Sequence, residues 1–124
     1  TEQAKLNALV DAYCVCWRVA DAAERQRALV AALTADVHYC DPTADVHGLD
    51  ALSAHIGRML QRFPNAEVLR TSPVDAHHDK GRFAWRMVLD ASQPPVSGID
   101  VITLNENGTR IRAILGFFGP LQSS

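Results

Sequence analysis

One apolar stripe dominates the start of the chain. Its members are four or three residues apart, which is the spacing of a single buried helix face. They are Leu6, Val10, Tyr13, Trp17 and Ala20. The pattern predicts a first helix that packs on this side, with Ala20 as its last buried position.

Two more helices are predicted after it. Asp21 and Glu24 have the spacing of a capping box, so a second helix begins there. Gly48 breaks the chain, Asp50 is placed to cap a third helix, and Pro64 ends that helix. The predicted buried residues are Leu29, Val30 and Leu33 in the second helix and Leu52, Ile56, Met59, Leu60 and Phe63 in the third.

The second half of the chain is rich in β-branched residues and alternates apolar and polar positions, as strands do. The predicted strands cover residues 37–41, about 66–78, 82–91, 96–104 and 109–119. Turns are expected at 79–81, 92–95 and 105–108. This order predicts an α+β fold, with three N-terminal helices packed on one face of a curved antiparallel or mixed β-sheet. Such a sheet forms a cone-shaped barrel whose open end is a natural ligand pocket.

Composition narrows the classes of function. The 124 residues suit one domain spanning 1–124, and 48% of them are hydrophobic and 21% charged. The net charge is −2 with scattered positive residues, which argues against a nucleic-acid-binding face. No apolar run reaches the length of a membrane span, and no secretory leader is visible, although one could have preceded residue 1. We therefore expect neither a nucleic acid nor a membrane as partner.

Cysteine usage indicates a reducing compartment. Cys14, Cys16 and Cys40 are an odd set without the spacing of a disulfide framework. Cys14 and Cys16 project from different sides of a helix, so they are poorly placed to bridge or to hold zinc. Buried, reduced thiols and a cytoplasmic location are the simplest interpretation.

Asp100 is the most informative polar residue. It lies in Gly98–Leu104, which is predicted as an interior strand with apolar residues on both faces. Burial of an ionised carboxylate is expensive, so the group either has a raised pKa or has a dedicated partner. A neutral carboxylic acid can donate a hydrogen bond in a pocket. The alternative is an Asp that caps a turn or pairs with an Arg.

Three other side chains are expected near the pocket. Asp41 shares a strand face with Tyr39, which places Asp41 at the pocket rim if that face meets the helices. An Asp before a proline is also a common turn residue. Tyr13 and Trp17 are one helical turn apart, so both either line the pocket or pack in the core.

The strand at 82–91 has an apolar face and a basic face. The apolar face carries Phe83, Trp85, Met87 and Leu89, and the basic face carries Arg82 and Arg86. An aromatic face of this kind is usually core, and in a cone the core and the pocket wall can be the same surface.

Histidines are weaker candidates. His55 lies in the third helix, and His77 and His78 are neighbours on a strand, so only one of the pair can face inward. No His or Asp cluster has convincing metal spacing, and the chain contains neither a Gly-rich phosphate loop nor a Gly-x-Ser-x-Gly elbow. The sequence therefore implies no metal and no cofactor.

Several segments resemble the NTF2-like superfamily, in its SnoaL-like and ketosteroid-isomerase-like branch. They are Tyr39-Cys-Asp-Pro42, His47-Gly-Leu-Asp50, and Ile99-Asp-Val-Ile-Thr-Leu-Asn-Glu-Asn-Gly108, which leads into Arg110-Ile-Arg and Gly116-Phe-Phe. The resemblance covers nearly all of the chain. It implies the cone-shaped fold and a small apolar ligand.

The resemblance also implies roles for individual residues. Tyr13 corresponds to an oxyanion-hole tyrosine, Asp41 to a general base, and Asp100 to a protonated oxyanion-hole aspartic acid. Leu33 and Ile56 stand where ketosteroid isomerase can carry supporting tyrosines, and Trp17 adds bulk, which together argue against a steroid substrate. The expected substrate-contacting residues are Trp17, Tyr39, Ile56, Met59, Phe83, Trp85, Met87 and Phe118, with His55 and His78 as weaker candidates.

Two classes of function follow. The first is an enzyme that acts on a small apolar carbonyl compound through an enolate, as an isomerase or a polyketide-type cyclase. The second is a non-catalytic binding or interaction domain of the same fold. Epoxide hydrolysis is a third possibility, but the sequence shows no clear Asp-Arg-Asp arrangement. The resemblance further implies a homodimer formed through the outer sheet face, near Arg82 and Arg86.

Overall fold

The computed structural model describes residues 1–124 and contains three α-helices. They are α1 (Glu2–Val15), α2 (Ala22–Ala32) and α3 (Leu49–Arg62), and a short 3-10 helix at Cys16–Arg18 follows α1. Asp21 caps α2 as predicted, since its carboxylate accepts a hydrogen bond from the Glu24 N–H at 2.9 Å. None of these helices combines the length and the apolar composition needed to cross a membrane.

The helix boundaries differ from the predictions at three points. The 3-10 turn ends α1 early and leaves Ala20 exposed. Gly48, not Asp50, is the N-cap of α3, with a φ of 87° that favours glycine. Leu33 begins the first strand instead of extending α2.

Val30 is 47% exposed, which contradicts its predicted burial. The buried stripe of α2 instead runs through Arg25, Leu29 and Ala32. Arg25 donates from Nε to Ser53 Oγ at 2.9 Å and from Nη1 to the Val19 carbonyl at 2.8 Å. A guanidinium whose Nε and Nη1 are hydrogen-bonded thus takes the inward position and ties α2 to α3 and to the chain after α1.

Seven strands form one mixed, open sheet in the order β2-β1-β7-β6-β5-β3, with β4 paired to β5. They are β1 (Leu33–Asp41), β2 (Ala44–His47), β3 (Glu67–Arg70), β4 (Asp75–His77), β5 (Lys80–Val88), β6 (Val96–Leu104) and β7 (Ile111–Phe118). β1 and β7 pair in parallel and the other pairs are antiparallel. The helices cover one face, so the predicted cone-shaped α+β fold is confirmed, as a sheet that stays open between β2 and β3.

The strand pattern corrects two further predictions. The expected strand at 66–78 is two short strands, β3 and β4, because the chain leaves the sheet between them around Pro73. The following turn is at His78-Asp79, not at 79–81, and His78 takes a left-handed φ of 55°. β2 was not predicted, since its four residues are too short to show a period.

Burial divides the sheet into two faces. Gly98, Asp100, Ile102 and Leu104 of β6 point toward the helices and are buried. The outer face is open in the single chain, so Asp100 is buried because it points toward the helices. The apolar residues of the outer face, Ile99, Val101, Leu115 and Phe117, are 36–57% exposed.

Candidate functional site: a buried carboxyl in a two-part cavity

Asp100 is buried to 8% exposure and has no arginine partner. Its Oδ1 accepts a hydrogen bond from the indole Nε1–H of Trp85 at 2.8 Å. Burial raises the pKa of Asp100 to about 7, the Trp85 bond lowers it, and the charge of Asp41 raises it. A substantial share of Asp100 is therefore a neutral acid near neutral pH, with its second oxygen free to carry the proton.

Two glycines make room for this arrangement. Trp85 pairs with Gly98 across the β5–β6 ladder, and a Cβ at Gly98 would lie 2.4 Å from the indole ring. Gly116 pairs with Asp100 across the β6–β7 ladder, and a Cβ there would lie 2.7 Å from Asp100 Oδ1. Gly98 thus leaves space for the indole to reach the carboxyl, and Gly116 leaves space for the carboxyl itself.

Asp41 is both a turn residue and a cavity residue. Its Oδ1 accepts from the Thr43 N–H and hydroxyl, both at 2.7 Å, and from the Ala44 N–H at 3.0 Å. Its Oδ2 accepts from the hydroxyl of Tyr39, which shares its strand face. The turn between β1 and β2 therefore holds one oxygen in place, and the other faces the cavity beside the Tyr39 phenol.

Tyr13 completes the polar lining from the helix side. It is 2% exposed, and burial raises the pKa of its phenol, with further increases from the nearby Tyr39 and Asp100. Burial likewise raises the pKa of Tyr39, and its bond to Asp41 adds to the effect. Both phenols stay protonated near neutral pH and can act as hydrogen-bond donors.

The cavity has two parts. The inner chamber is about 30 Å³ and is lined by Tyr13, Trp17, Tyr39, Asp41, Val68, Trp85, Met87, Asp100 and Phe118. The outer cleft is about 700 Å³ and is lined by Trp17, Asp41, Thr43, Ala44, Asp45, Val46, His55, Arg58, Met59, Arg62, Phe63, Met87, Leu89, Val96 and Phe118. Trp17, Asp41, Met87 and Phe118 line both parts, so they form the boundary between them.

Comparison with known proteins assigns this fold and cavity to a family. The family model of the SnoaL-like domain matches residues 10–114. The chain belongs to the SnoaL-like family. The predicted resemblance is thereby confirmed.

Solved structures agree with this assignment. A candidate isomerase of the SnoaL-like family from Agrobacterium tumefaciens str. C58 is 26% identical, with a TM-score of 0.81 over 91% of this chain and 96% of that one. A candidate ketosteroid isomerase from Kribbella flavida DSM 17836 is 14% identical, with a TM-score of 0.69 over 97% and 82%. An epoxide hydrolase of the LEH-like type from M. tuberculosis is 16% identical, with a TM-score of 0.70 over 96% and 86%. The similarity to the last two structures concerns the fold alone, because their sequence identity is low. No curated protein matches the sequence.

Most of the predicted site residues of this SnoaL-like domain line the cavity, but three do not. Ile56 and Phe83 are fully packed core residues, at 0% and 2% exposure, and line neither part. Phe83 lies opposite Asp100 in the ladder and supports the strand from the neighbouring position. His78 is exposed in the turn before β5 and lies outside both parts.

His55 lines the outer cleft, where its ring meets Trp17 edge-on with ring centres 5.9 Å apart. Burial lowers the pKa of His55, the charge of Asp41 raises it, and Arg58 lowers it further. The net direction is downward, which favours a neutral imidazole near neutral pH. His55 is thus a second polar group beside Asp41.

Sequence reasoning missed several cavity residues. Thr43 and Asp45 come from the unpredicted turn and strand β2, and Val68 comes from the short strand β3. Arg58 and Arg62 are one turn apart on α3 and reach the cleft from its exposed side. Their spacing could have placed the two arginines on one helix face, but nothing in the sequence orients that face toward a cleft.

Proposed function

We propose that this SnoaL-like domain is an enzyme that transfers a proton next to the carbonyl group of a small apolar compound. The observation that carries the proposal is that the carboxyl of Asp100, whose raised pKa allows it to be protonated near neutral pH, lines the same chamber as Asp41 and Tyr13. A base and two hydrogen-bond donors around one small volume are the groups that enolate chemistry requires.

The residues divide the work as follows. Asp41 removes the proton from the carbon next to the carbonyl through Oδ2, which exchanges its bond with Tyr39 for the substrate. The enolate oxygen accepts hydrogen bonds from the Tyr13 hydroxyl and from the protonated oxygen of Asp100. Return of the proton to another carbon gives an isomer. Attack of the enolate carbon on a second carbonyl carbon of the substrate gives an alkoxide, which takes the proton from Asp41 and completes an aldol cyclisation.

The cavity dimensions limit the substrate. The inner chamber of about 30 Å³ is much smaller than the cleft of about 700 Å³, which has the size of ordinary small-molecule sites. The carbonyl would enter past Trp17 and Phe118, and the apolar body would remain in the cleft.

The proposal is tested by exchange of carbon-bound hydrogen for deuterium in a panel of apolar ketones, followed by NMR in D₂O. Exchange reports enolisation even when the natural product is unknown. We expect Asp41→Asn to reduce exchange by about a hundredfold or more. Asp100→Asn, whose amide still donates, should keep most of the rate, and Asp100→Leu should lose about a hundredfold. An Asp41→Asn variant that exchanges at the wild-type rate would exclude Asp41 as the base.

A second function, ligand binding without turnover, is supported by the bonding of Asp41. Both of its oxygens already accept hydrogen bonds, three of them from the turn at Thr43 and Ala44. Under this alternative, ketones bind in the cleft, and neither the wild type nor Asp41→Asn catalyses exchange. Epoxide opening is the third possibility and would be tested with apolar epoxides in place of the ketones, although neither Arg58 nor Arg62 lines the inner chamber.

We also propose that the chain forms a homodimer through the outer face of the sheet. Ile99 lies opposite Phe117 and Val101 opposite Leu115, so four exposed apolar side chains form one patch across β6 and β7. Light scattering should give a dimer, and Phe117→Asp should give a monomer. A wild-type monomer at micromolar concentration would refute dimerisation.

We further propose a cytoplasmic location for this protein, which is supported by its three free cysteines.

A further inference from the structure

Three potential metal ligands meet on the outer face of the β1–β2 hairpin. Single ligand atoms of His38, Asp45 and His47 all lie within 4.8 Å of one another. His38 Nε2 is 2.6 Å from Asp45 Oδ1, and the two imidazole rings stack with centres 4.1 Å apart and planes 8° from parallel. None of the three residues lines the inner chamber, and Asp45 also borders the outer cleft.

The hairpin register brings these residues together. Val37 and Tyr39 point into the core, so His38 points outward between them. His38 lies directly opposite His47. Asp45 is two residues before His47 on β2, so it lies on the same face as His47. The register of the turn at Asp41–Ala44 therefore sets the spacing of the three groups, which the sequence alone did not show as a metal pattern.

We propose that His38, Asp45 and His47 form a binding site for a divalent first-row transition-metal ion such as Zn²⁺. Imidazole nitrogen and carboxylate oxygen are ordinary zinc ligands at about 2.0–2.2 Å, which separates two ligands of a tetrahedral ion by roughly 3.3 Å. The stacked imidazoles must rotate for their lone pairs to converge on one ion, and the surface position of all three side chains leaves room for this rotation. Water fills the fourth position.

The bound ion would clamp both strands of the hairpin. His38 belongs to β1 and His47 to β2, and the turn between these strands holds Asp41. A ligand that binds the folded chain alone stabilises it by mass action. The site therefore predicts a zinc-dependent gain in stability that does not depend on the proposed enzymatic function.

The test is isothermal titration calorimetry of tag-free protein with Zn²⁺ alone, together with thermal unfolding in the presence of Zn²⁺. We expect one ion per chain and an increase in Tm. His47→Ala and Asp45→Asn should each weaken binding by more than about tenfold, because even loss of an outer-shell partner can have that effect. Both should also abolish the increase in Tm.

Two control variants separate this site from other ligands. His77→Ala with His78→Ala removes the other adjacent histidine pair, whose Nδ1 atoms are 3.4 Å apart, and should leave binding unchanged. Cys40→Ser removes the thiol opposite Asp45 and should also leave it unchanged. Absence of saturable binding to the wild type, retention of binding by His47→Ala, or loss of binding in either control would overturn the proposal.

Discussion

Replacement of Asp100 by asparagine should remove a pH-dependent loss of stability. Burial raises the pKa of Asp100 from 3.8 to about 7 in the folded chain. The unfolded chain therefore releases this proton at lower pH than the folded chain does. Stability from this group is fully present below about pH 4 and is lost as the pH rises to about 7, since the folded state binds more protons over this range.

The magnitude follows from the two pKa values. Each pKa unit corresponds to about 1.4 kcal/mol, so the buried carboxylate costs about 4 kcal/mol of folding free energy once both states are ionised. Between pH 4.5 and pH 8, the free energy of unfolding of the wild type should fall by about 3 kcal/mol relative to the variant. The asparagine oxygen can still accept the hydrogen bond from Trp85, which limits other effects of the substitution.

The assay is urea unfolding of both proteins at a series of pH values. The difference in free energy between Asp100→Asn and the wild type should grow as the pH rises, in favour of the variant. Asp36→Asn is the matched control, because Asp36 is an aspartate that is exposed on β1. A difference that stays constant between pH 4.5 and pH 8, or an equal trend in the control, would refute a buried Asp100 with a raised pKa.

Three other substitutions test the packing of the site. Gly116→Ala should destabilise the fold by about 1–3 kcal/mol in urea unfolding, because the new Cβ would lie 2.7 Å from Asp100 Oδ1, and unchanged stability would contradict that close approach. Trp17→Ala should lower the free energy of unfolding by about 3–5 kcal/mol and merge the inner chamber with the cleft, so that bulkier ketones bind. If Trp17→Ala binds only the ketones that the wild type binds, Trp17 is not the boundary. Arg25→Ala should cost about 3 kcal/mol in thermal and urea unfolding, because it leaves buried partners unsatisfied, and a loss below about 0.5 kcal/mol would contradict this role.

Much of the fold could be predicted from the chain. The periodicity of the apolar positions and the turn residues were sufficient to predict three helices, the long strands and the α+β order, because these signals are local. Errors fell where tertiary contacts override local pattern. Val30 has an apolar side chain but points to solvent, since Arg25 occupies the inward stripe, where its Nε and Nη1 donate to groups on other elements.

The site was predictable only in part. The position of Asp100 in an apolar strand already required a raised pKa or a partner, and the structure shows both. The partner itself, Trp85, could not be read from the sequence, because the contact depends on the β5–β6 register and on the space left at Gly98. The same holds for Asp41, where the turn and the cavity role coexist.

The sequence by itself therefore determined the family, the order of elements and the presence of an apolar strand that carries a carboxyl group. These properties depend on local side-chain pattern, which each segment expresses wherever it lies. Only the tertiary structure decided the division of the cavity by Trp17, the Trp85 bond to Asp100 and the meeting of His38, Asp45 and His47. Those depend on strand register and curvature, which arise when distant segments pack together.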